Sequence, residues 1–235
     1  MNLEGLGAES LAPELREIAL PELQPYRHEN FASQVEYLEG IEGLSESRWA
    51  ELTPAERLET LKDLESRLAE MQGRDPRQVI GRDYPSSWFS TSKTWGHYSE
   101  TNPGELNINN ELLRRPELRL KAFDTLVHEG RHAFQHDAIR GLVQYNPEVV
   151  TYWRANWDHY LSGKRFGLEI YQSQPIEIDA RSYAAKIVGE IKSRDGSASL
   201  AMKESSYGNS AFDLAIARQF SFLVDEISRT KLPDR

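Results

Sequence analysis

One short segment restricts the possible folds of this chain more than any other, because it requires both a helix and a polar face on that helix. In His128-Glu129-Gly130-Arg131-His132, two histidines stand four residues apart and a glutamate follows the first. On an α-helix this spacing places both imidazoles on one face. Two neutral imidazoles one turn apart can bind a single zinc ion, and Glu129 can then take a proton from the water on that ion. The segment therefore predicts a zinc site for metal-assisted hydrolysis.

The sequence around this segment has the features of a long helix. The run begins near Pro116, where proline suits the first turn, and Gly141 stands just beyond its end at Arg140. Apolar and small residues recur at helical spacing on the side away from the histidines: Phe123, Leu126, Val127, Gly130, Ala133 and Phe134. One side of this helix can therefore join the core while the other carries the metal.

Catalytic zinc sites usually have three protein ligands, so a residue besides the two histidines is needed. A histidine ten residues after His128 would mark the extended three-histidine motif, but position 138 holds Ala. His136 lies about 12 Å along the helix axis from His128, which is too far for one ion. We therefore expect His136 to be solvated or to support a ligand from behind.

A carboxylate from a separate helix is the better candidate for the third ligand. The stretch from Gln174 to Ala185 predicts a helix with Pro175 in its first turn, reaching about Ser193. It contains both Glu177 and Asp179, and either could complete the site.

The composition is typical of a soluble globular protein and argues against several classes. Hydrophobic residues make up 39% and charged residues 28% of the 235 residues, and no apolar run reaches the length of a membrane span. Because the chain has no cysteine, zinc would be bound by nitrogen and oxygen ligands alone. The net charge of −9 argues against nucleic acid as a partner, since phosphate binding requires a basic surface.

The N-terminal part of the chain predicts helices. Prolines in the first fifty residues break it into short helices, and Thr53-Pro54-Ala55-Glu56 is a capping box that opens a helix to about Gly73. This helix carries an apolar stripe that we assign to the core, consisting of Leu58, Leu61, Leu64, Leu68 and Met71. A coiled coil with a partner is the alternative, but the stripe is short for one.

A small antiparallel sheet is expected just before the metal-binding helix. Trp95–Glu100 and Leu106–Asn109 form a hairpin-like pair around the turn Thr101-Asn102-Pro103-Gly104, and Val79-Ile80 is a further apolar stretch. An edge strand in this position could pair with an extended peptide and hold it over the metal. The alternative is that the hairpin serves only as scaffold.

Downstream, three further segments are predicted. Asn146-Pro147 starts a helix that runs to about Leu161, and residues from Gly167 to Ser173 are expected to be extended or loop-like. A last amphipathic helix is expected from about Ser210 to Arg229, docked on the core. We expect an α+β fold that is mostly helical. Residues 1–75 would form a helical region packed on a catalytic domain of residues 76–235, although one continuous domain is also possible.

The two signatures together resemble a known family. His128-Glu129-Gly130-Arg131-His132 resembles the metal-binding helix of zincin metallopeptidases, and Glu177-x-x-Ala180-x-x-Tyr183-Ala184 resembles the second-helix signature of anti-repressor peptidases of the ImmA/IrrE type. The surrounding blocks also resemble zincin-like domains of bacterial polymorphic toxins and secretion-system effectors. The resemblance is closest to the gluzincin arrangement, in which the third ligand is a glutamate. It covers about a fifth of the chain.

The resemblance implies a zincin-like fold and assigns roles to residues. Glu177 would be the third zinc ligand, with Asp179 as the alternative, and Glu129 would be the general base of a zinc endopeptidase. Metal-bound histidines usually donate their second ring hydrogen to an acceptor, for which Asp179, Asp124 and Asp137 are candidates. Candidate donors to the oxyanion of the transition state are Tyr171, Tyr183, Arg181 and His159.

Three settings fit this chemistry. The protein could be a toxin or effector delivered into another cell, with a protein or peptide substrate and an immunity or secretion-apparatus protein as partner. It could instead be an intracellular regulatory or housekeeping protease, or a catalytically idle module that zinc staples together. The N-terminus lacks the basic start and apolar block of a signal peptide, which predicts a cytoplasmic protein as synthesised. Export by a signal-independent secretion or injection system would be the route for a toxin.

Overall fold

The structure is a computed structural model that describes residues 31–41, 43–84 and 94–195. Its helices are α1 (Phe31–Leu38), α2 (Glu46–Glu51), α3 (Pro54–Met71), α4 (Asn110–Arg114), α5 (Arg119–Ile139), α6 (Pro147–Asp158), α7 (Gly163–Phe166), α8 (Leu168–Gln172) and α9 (Pro175–Arg194). The strands are β1 (Gln78–Arg82), β2 (Gly96–Tyr98) and β3 (Glu105–Asn109), and Pro116–Leu118 is a 3-10 turn. The expected α+β class with a mostly helical chain is therefore confirmed.

The predicted start of α3 is present in full. The Thr53 hydroxyl accepts a hydrogen bond from the Glu56 backbone N–H, and the Glu56 carboxylate accepts one from the Thr53 N–H at 2.7 Å. The helix ends at Met71, two residues before Gly73. Leu61, Leu64 and Leu68 of its stripe are buried, with Leu58 and Met71 packed against them. The assignment of this stripe to the core is confirmed.

The sheet agrees with the sequence in one pair of strands and differs in the other. β2 and β3 pair antiparallel, with Tyr98 opposite Leu106, which confirms the predicted hairpin. The expectation of a wholly antiparallel sheet is wrong, because β1 pairs parallel to β3 in the order β1-β3-β2. β3 lies between the other two strands, and the chain reverses direction twice between β1 and β3. The two strands therefore run the same way.

α5 lies at the centre of the molecule. It follows the 3-10 turn at Pro116 and ends one residue before its cap Arg140, where Gly141 takes a φ of +74°. Its predicted apolar face is buried: Phe123, Leu126, Val127 and Ala133 join the main core, and Phe134 joins a smaller one. The main core also contains Val35 of α1, Leu64 of α3 and Ile187 of α9, so helices from both ends of the described chain share it.

Two predictions downstream of α5 need correction. α6 begins at Pro147 as expected but ends at Asp158, three residues before the predicted Leu161. The stretch from Gly167 to Ser173 is not extended, because α8 is helical over Leu168–Gln172 and the Ser173 N–H bonds the carbonyl of Glu169. Gly167, with a φ of +90°, separates α8 from the preceding turn of helix.

The remaining predicted helices have different outcomes. α9 matches its predicted span closely and ends at Arg194. The prolines at positions 13, 21 and 25 and the amphipathic stretch 210–229 lie outside the described residues. Within the described ranges, no helix is both long enough and apolar enough to cross a membrane.

Candidate metal centre

α5 and α9 bring three ligand-type side chains, those of His128, His132 and Glu177, together in one group. His128 and His132 stand one turn apart on α5, and Glu177 stands in the first turn of α9, which packs along α5. The Nε2 atoms of the two histidines are 3.1 Å apart. Oε2 of Glu177 lies 3.5 Å from Nε2 of His128, and Oε1 lies 3.5 Å from Nε2 of His132. Two nitrogens and one carboxylate that converge in this way could hold a metal ion.

The separations between these atoms fit a zinc ion. Ligand atoms at about 2.0–2.1 Å from a tetrahedral zinc lie about 3.3 Å from one another. The three nearest separations, 3.1, 3.5 and 3.5 Å, straddle that value. Oε2 of Glu177 is also buried without a hydrogen-bond partner among the described residues, which is costly for a carboxylate unless a cation is bound. The residues present therefore fit a metal of this class.

The tautomer of His132 follows from the contacts of Gln135. The Gln135 amide nitrogen donates to the Asp179 carboxylate at 2.7 Å and to the carbonyl of Ile176 at 3.0 Å. Its amide oxygen must then face His132 Nδ1, which lies 2.8 Å away. Nδ1 therefore carries the hydrogen, and the lone pair on Nε2 is directed at the centre of the group.

Asp179 has a different environment from Glu177. Its carboxylate accepts from Arg131 Nε at 2.8 Å as well as from Gln135, and it is 4% exposed. The Arg131 guanidinium is surrounded by aromatic rings at 4.5 to 5.5 Å from their centroids, those of Phe134, Tyr145, Trp153 and Tyr183. Asp179 thus contacts His132 indirectly, through Gln135. The two other acidic candidates, Asp124 and Asp137, pair with Lys121 and Arg77.

Glu177 is held in its charged form by its neighbours. It is 1% exposed, and burial opposes ionisation. While His132 and His128 are protonated, their charge and the Tyr160 hydroxyl outweigh burial and bring the pKa of Glu177 to about 2. Tyr160 donates to Oε1 at 2.8 Å. A carboxylate that is ionised before the metal arrives is the form that a metal requires.

Glu129 lies beside the group without joining it. Its carboxylate accepts a hydrogen bond from the Tyr98 backbone N–H of β2 at 2.9 Å. Burial of the carboxyl group raises the pKa of Glu129 to about 7, although nearby His132 acts in the opposite direction. A carboxyl group near neutrality can both accept and return a proton.

β2 approaches α5 closely at this point. The Asn109 N–H bonds the carbonyl of Trp95, so the alternating pattern of an antiparallel pair turns the Gly96 and Tyr98 backbone groups away from β3. A Cβ on Gly96 would lie 2.4 Å from Thr125 Cγ2 and 3.0 Å from Glu129 Cγ. Glycine is therefore needed here, and within the described residues β2 is an edge strand beside Glu129.

The other predicted residues lie at varying distances from the group. Tyr171 packs edge-on against Tyr160, and burial followed by the charge of Glu177 raises its pKa. Arg181, one turn after Glu177, donates to the carbonyl of Gln172. Tyr183 is buried and donates to Gln34, so its contacts are in the core.

Two of the remaining histidines are also placed. His159 caps the end of α6 and is exposed. His136 bonds the Tyr98 hydroxyl at 2.6 Å and stacks on Trp157 at 5.3 Å. It therefore helps to fasten β2 to α5 and α6.

Sequence reasoning missed two residues that contact the group. Gln135 stands three residues after His132, and helical spacing could have identified it as a neighbour. Tyr160 follows the end of α6 and reaches Glu177 through the tertiary fold, so no local pattern indicates it. Comparisons of the chain with protein-family models, with curated proteins and with solved structures give no match.

Proposed function

We propose that the protein is a zinc-dependent endopeptidase. The observation that carries this proposal is that His128, His132 and Glu177 converge while Glu129 stands next to them with its carboxylate outside the group. A purely structural zinc site closes its fourth position with another ligand and has no use for a base beside it. The arrangement of these four residues favours catalysis over a zinc-stapled module.

Each residue has a role in this proposal. When bound, zinc acts as a Lewis acid and lowers the pKa of a water molecule toward neutrality. Glu129, with its pKa raised to about 7 by burial, takes the proton from the attacking water and passes it to the leaving amine. His128, His132 and Glu177 hold the metal, and Gln135 fixes the ring of His132. The oxyanion requires a hydrogen-bond donor, and the candidates Tyr171 and Arg181 both lie near Glu177.

A polypeptide is the substrate class that the surroundings favour. Among the described residues β2 is an edge strand, and its outward Tyr98 N–H lies against the Glu129 carboxylate. An extended peptide could add to this edge through main-chain hydrogen bonds, which hold a substrate irrespective of its side chains. The resemblance to toxin and effector domains favours delivery into another cell. An immunity-type or secretion-apparatus gene next to this one would support that setting over a housekeeping protease.

The test separates metal binding from turnover. We expect the purified protein to bind about one zinc per chain after dialysis, and Glu129→Gln to keep that zinc. Hydrolysis of a mixed peptide library, followed by mass spectrometry, should fall by about 10²- to 10⁴-fold in this variant, because the amide cannot accept the proton. Glu36→Gln, at an exposed position of α1, is the matched control and should cleave like the wild type.

Three results would count against the proposal. The first is a zinc content near zero that resupplied zinc does not raise. The second is loss of zinc from Glu129→Gln, which would make Glu129 a ligand rather than a base. The third is cleavage by Glu129→Gln at the wild-type rate.

A further inference from the structure

The two carboxylate oxygens of Glu177 have different partners. Oε1 accepts a hydrogen bond from the Tyr160 hydroxyl at 2.8 Å and lies 3.5 Å from His132 Nε2. Oε2 is buried, lies 3.5 Å from His128 Nε2 and has no hydrogen-bond partner among the described residues. A buried charged oxygen without a partner is costly, so Oε2 is the atom that a cation would stabilise most.

The backbone that carries Tyr160 is firmly fixed. Gln174, fully buried just before α9, accepts from the Leu161 N–H at 2.7 Å and donates to the Leu161 carbonyl at 2.9 Å. Asn156 of α6 bonds the same Gln174 and also the N–H of Ile176. The residue after Tyr160 is therefore tied directly to the start of the helix that bears Glu177.

The backbone of Tyr160 is held in place, but its side chain is partly exposed to solvent. Tyr171 packs edge-on against its ring at a centroid distance of 6.0 Å. Tyr160 as a whole is 44% exposed, although its hydroxyl reaches a carboxylate that is 1% exposed. The ring thus contributes little to the core, and its polar end makes the specific contact.

We propose that Tyr160 is a positioning residue that makes Glu177 bind the metal through Oε2 alone. This inference rests on the proposed metal site. A glutamate can bind a metal through one oxygen or through both. With Oε1 engaged by Tyr160, Glu177 supplies one ligand atom, and three protein atoms leave the fourth position open for water or substrate. Without the hydroxyl, both oxygens can bind and the open position is filled.

Cobalt substitution tests this inference without any substrate. Co²⁺ takes the place of zinc in nitrogen and oxygen sites, and its visible absorption is strong when four-coordinate and weaker when five-coordinate. We expect Tyr160→Phe to bind one Co²⁺ per chain with clearly weaker absorption than the wild type. We also expect about 10- to 100-fold lower zinc affinity in competition with a chromophoric chelator, as for other groups behind a ligand.

The control variant removes a tyrosine hydroxyl elsewhere. Tyr183→Phe loses a hydrogen bond to Gln34 in the core, and its Co²⁺ spectrum should match that of the wild type. Because Tyr160 is 44% exposed and the substitution keeps its ring, Tyr160→Phe should fold, which circular dichroism can verify. A Tyr160→Phe spectrum that superimposes on the wild-type spectrum overturns the positioning role and leaves the metal site intact. Absence of Co²⁺ uptake by the wild type overturns the metal site and this inference with it.

Discussion

Two buried carboxylates stand two residues apart on α9, and their surroundings differ in kind. Asp179 is paired with the Arg131 guanidinium and accepts a further hydrogen bond from Gln135. Glu177 faces two imidazoles and has one hydroxyl partner on Oε1, while its Oε2 has no hydrogen-bond partner in the part of the chain that the structure describes. One carboxylate is therefore paired with a cation of the protein itself, whereas the proposed metal ion would supply the positive charge for the other.

Because of this difference, neighbouring turns of α5 and α9 have different roles. The Arg131 and Asp179 pair, enclosed by aromatic rings, sets how α9 lies on α5. The first turn of α9 then presents Glu177 to His128 and His132. A charge at a helix N-terminus can also be favoured by exposed backbone donors alone, but Glu177 is 1% exposed and its bond comes from Tyr160. The comparison thus favours Glu177 over Asp179 as the third ligand.

The largest effects should come from removing each carboxylate in turn. Glu177→Ala should lower zinc affinity by at least about 100-fold, which is more than the loss of a residue that only hydrogen-bonds to a ligand. Its melting temperature with zinc should fall to that of the chelator-treated wild type, because metal binding energy adds to stability. Asp179→Ala should lower the free energy of unfolding by about 3–5 kcal/mol even under chelator, because Arg131 loses the buried carboxylate that balances its charge.

Zinc titration and thermal melts with and without chelator measure both variants. The comparison fails if Asp179→Ala loses zinc while Glu177→Ala retains it, since the third ligand would then be Asp179. It also fails if the stability loss of Glu177→Ala persists unchanged in chelator. In that case Glu177 would serve the helix terminus rather than a metal.

A smaller effect is expected at Gln135, which connects the two regions. Gln135→Met keeps the volume but removes the acceptor of His132 Nδ1 and the donor to Asp179. We expect zinc affinity to fall by about 10- to 100-fold, because His132 loses the partner that fixes its ring and tautomer. Isothermal titration with zinc measures this change. Wild-type affinity in Gln135→Met would mean that the ring is positioned by packing alone.

The sequence predicted the elements of this site better than its surroundings. The spacing of His128 and His132 and the proline before Glu177 act locally, through the period of a helix and the fixed φ of proline. These features identified both helices and the two histidines, and they left Glu177 and Asp179 as candidates for the third ligand, of which the family resemblance favoured Glu177. The zincin-like fold itself stays a prediction.

The residues that support the site depend on tertiary structure. Tyr160 meets Glu177 only because Gln174 ties the end of α6 to the start of α9. β1 pairs with β3 rather than with its neighbour in sequence, and the apolar pair Val79-Ile80 carries no information about strand direction. Helical α8 was missed because its short sequence has no apolar period to detect.

The smallest expected effect lies on the opposite side of the motif, at a third buried carboxylate. Glu65 of α3 is paired with Arg74 through two hydrogen bonds of 2.6 and 3.0 Å, so its charge, like that of Asp179, is balanced by an arginine of the protein. This pair packs against α5 at Gly130, where an added Cβ would lie 3.1 Å from Glu65 Oε2 and 3.2 Å from Arg74 Nη2. Both separations are tight for a methyl group, and a doubly bonded pair can move little.

Gly130→Ala should therefore lower the free energy of unfolding by about 1 kcal/mol, at the low end of the cost of overpacking. Gly189→Ala is the matched control, because Gly189 lies inside helix α9, is exposed and has no atom within 4 Å of an added Cβ. There alanine should raise stability by about 0.5–1 kcal/mol, the usual gain over glycine in a helix. Urea unfolding of both variants under chelator measures the difference without any contribution from metal. An equal gain in stability in the two variants would mean that the Glu65 and Arg74 pair moves to accommodate the methyl group. A carboxylate paired with a cation of the protein would then not be rigid in this fold.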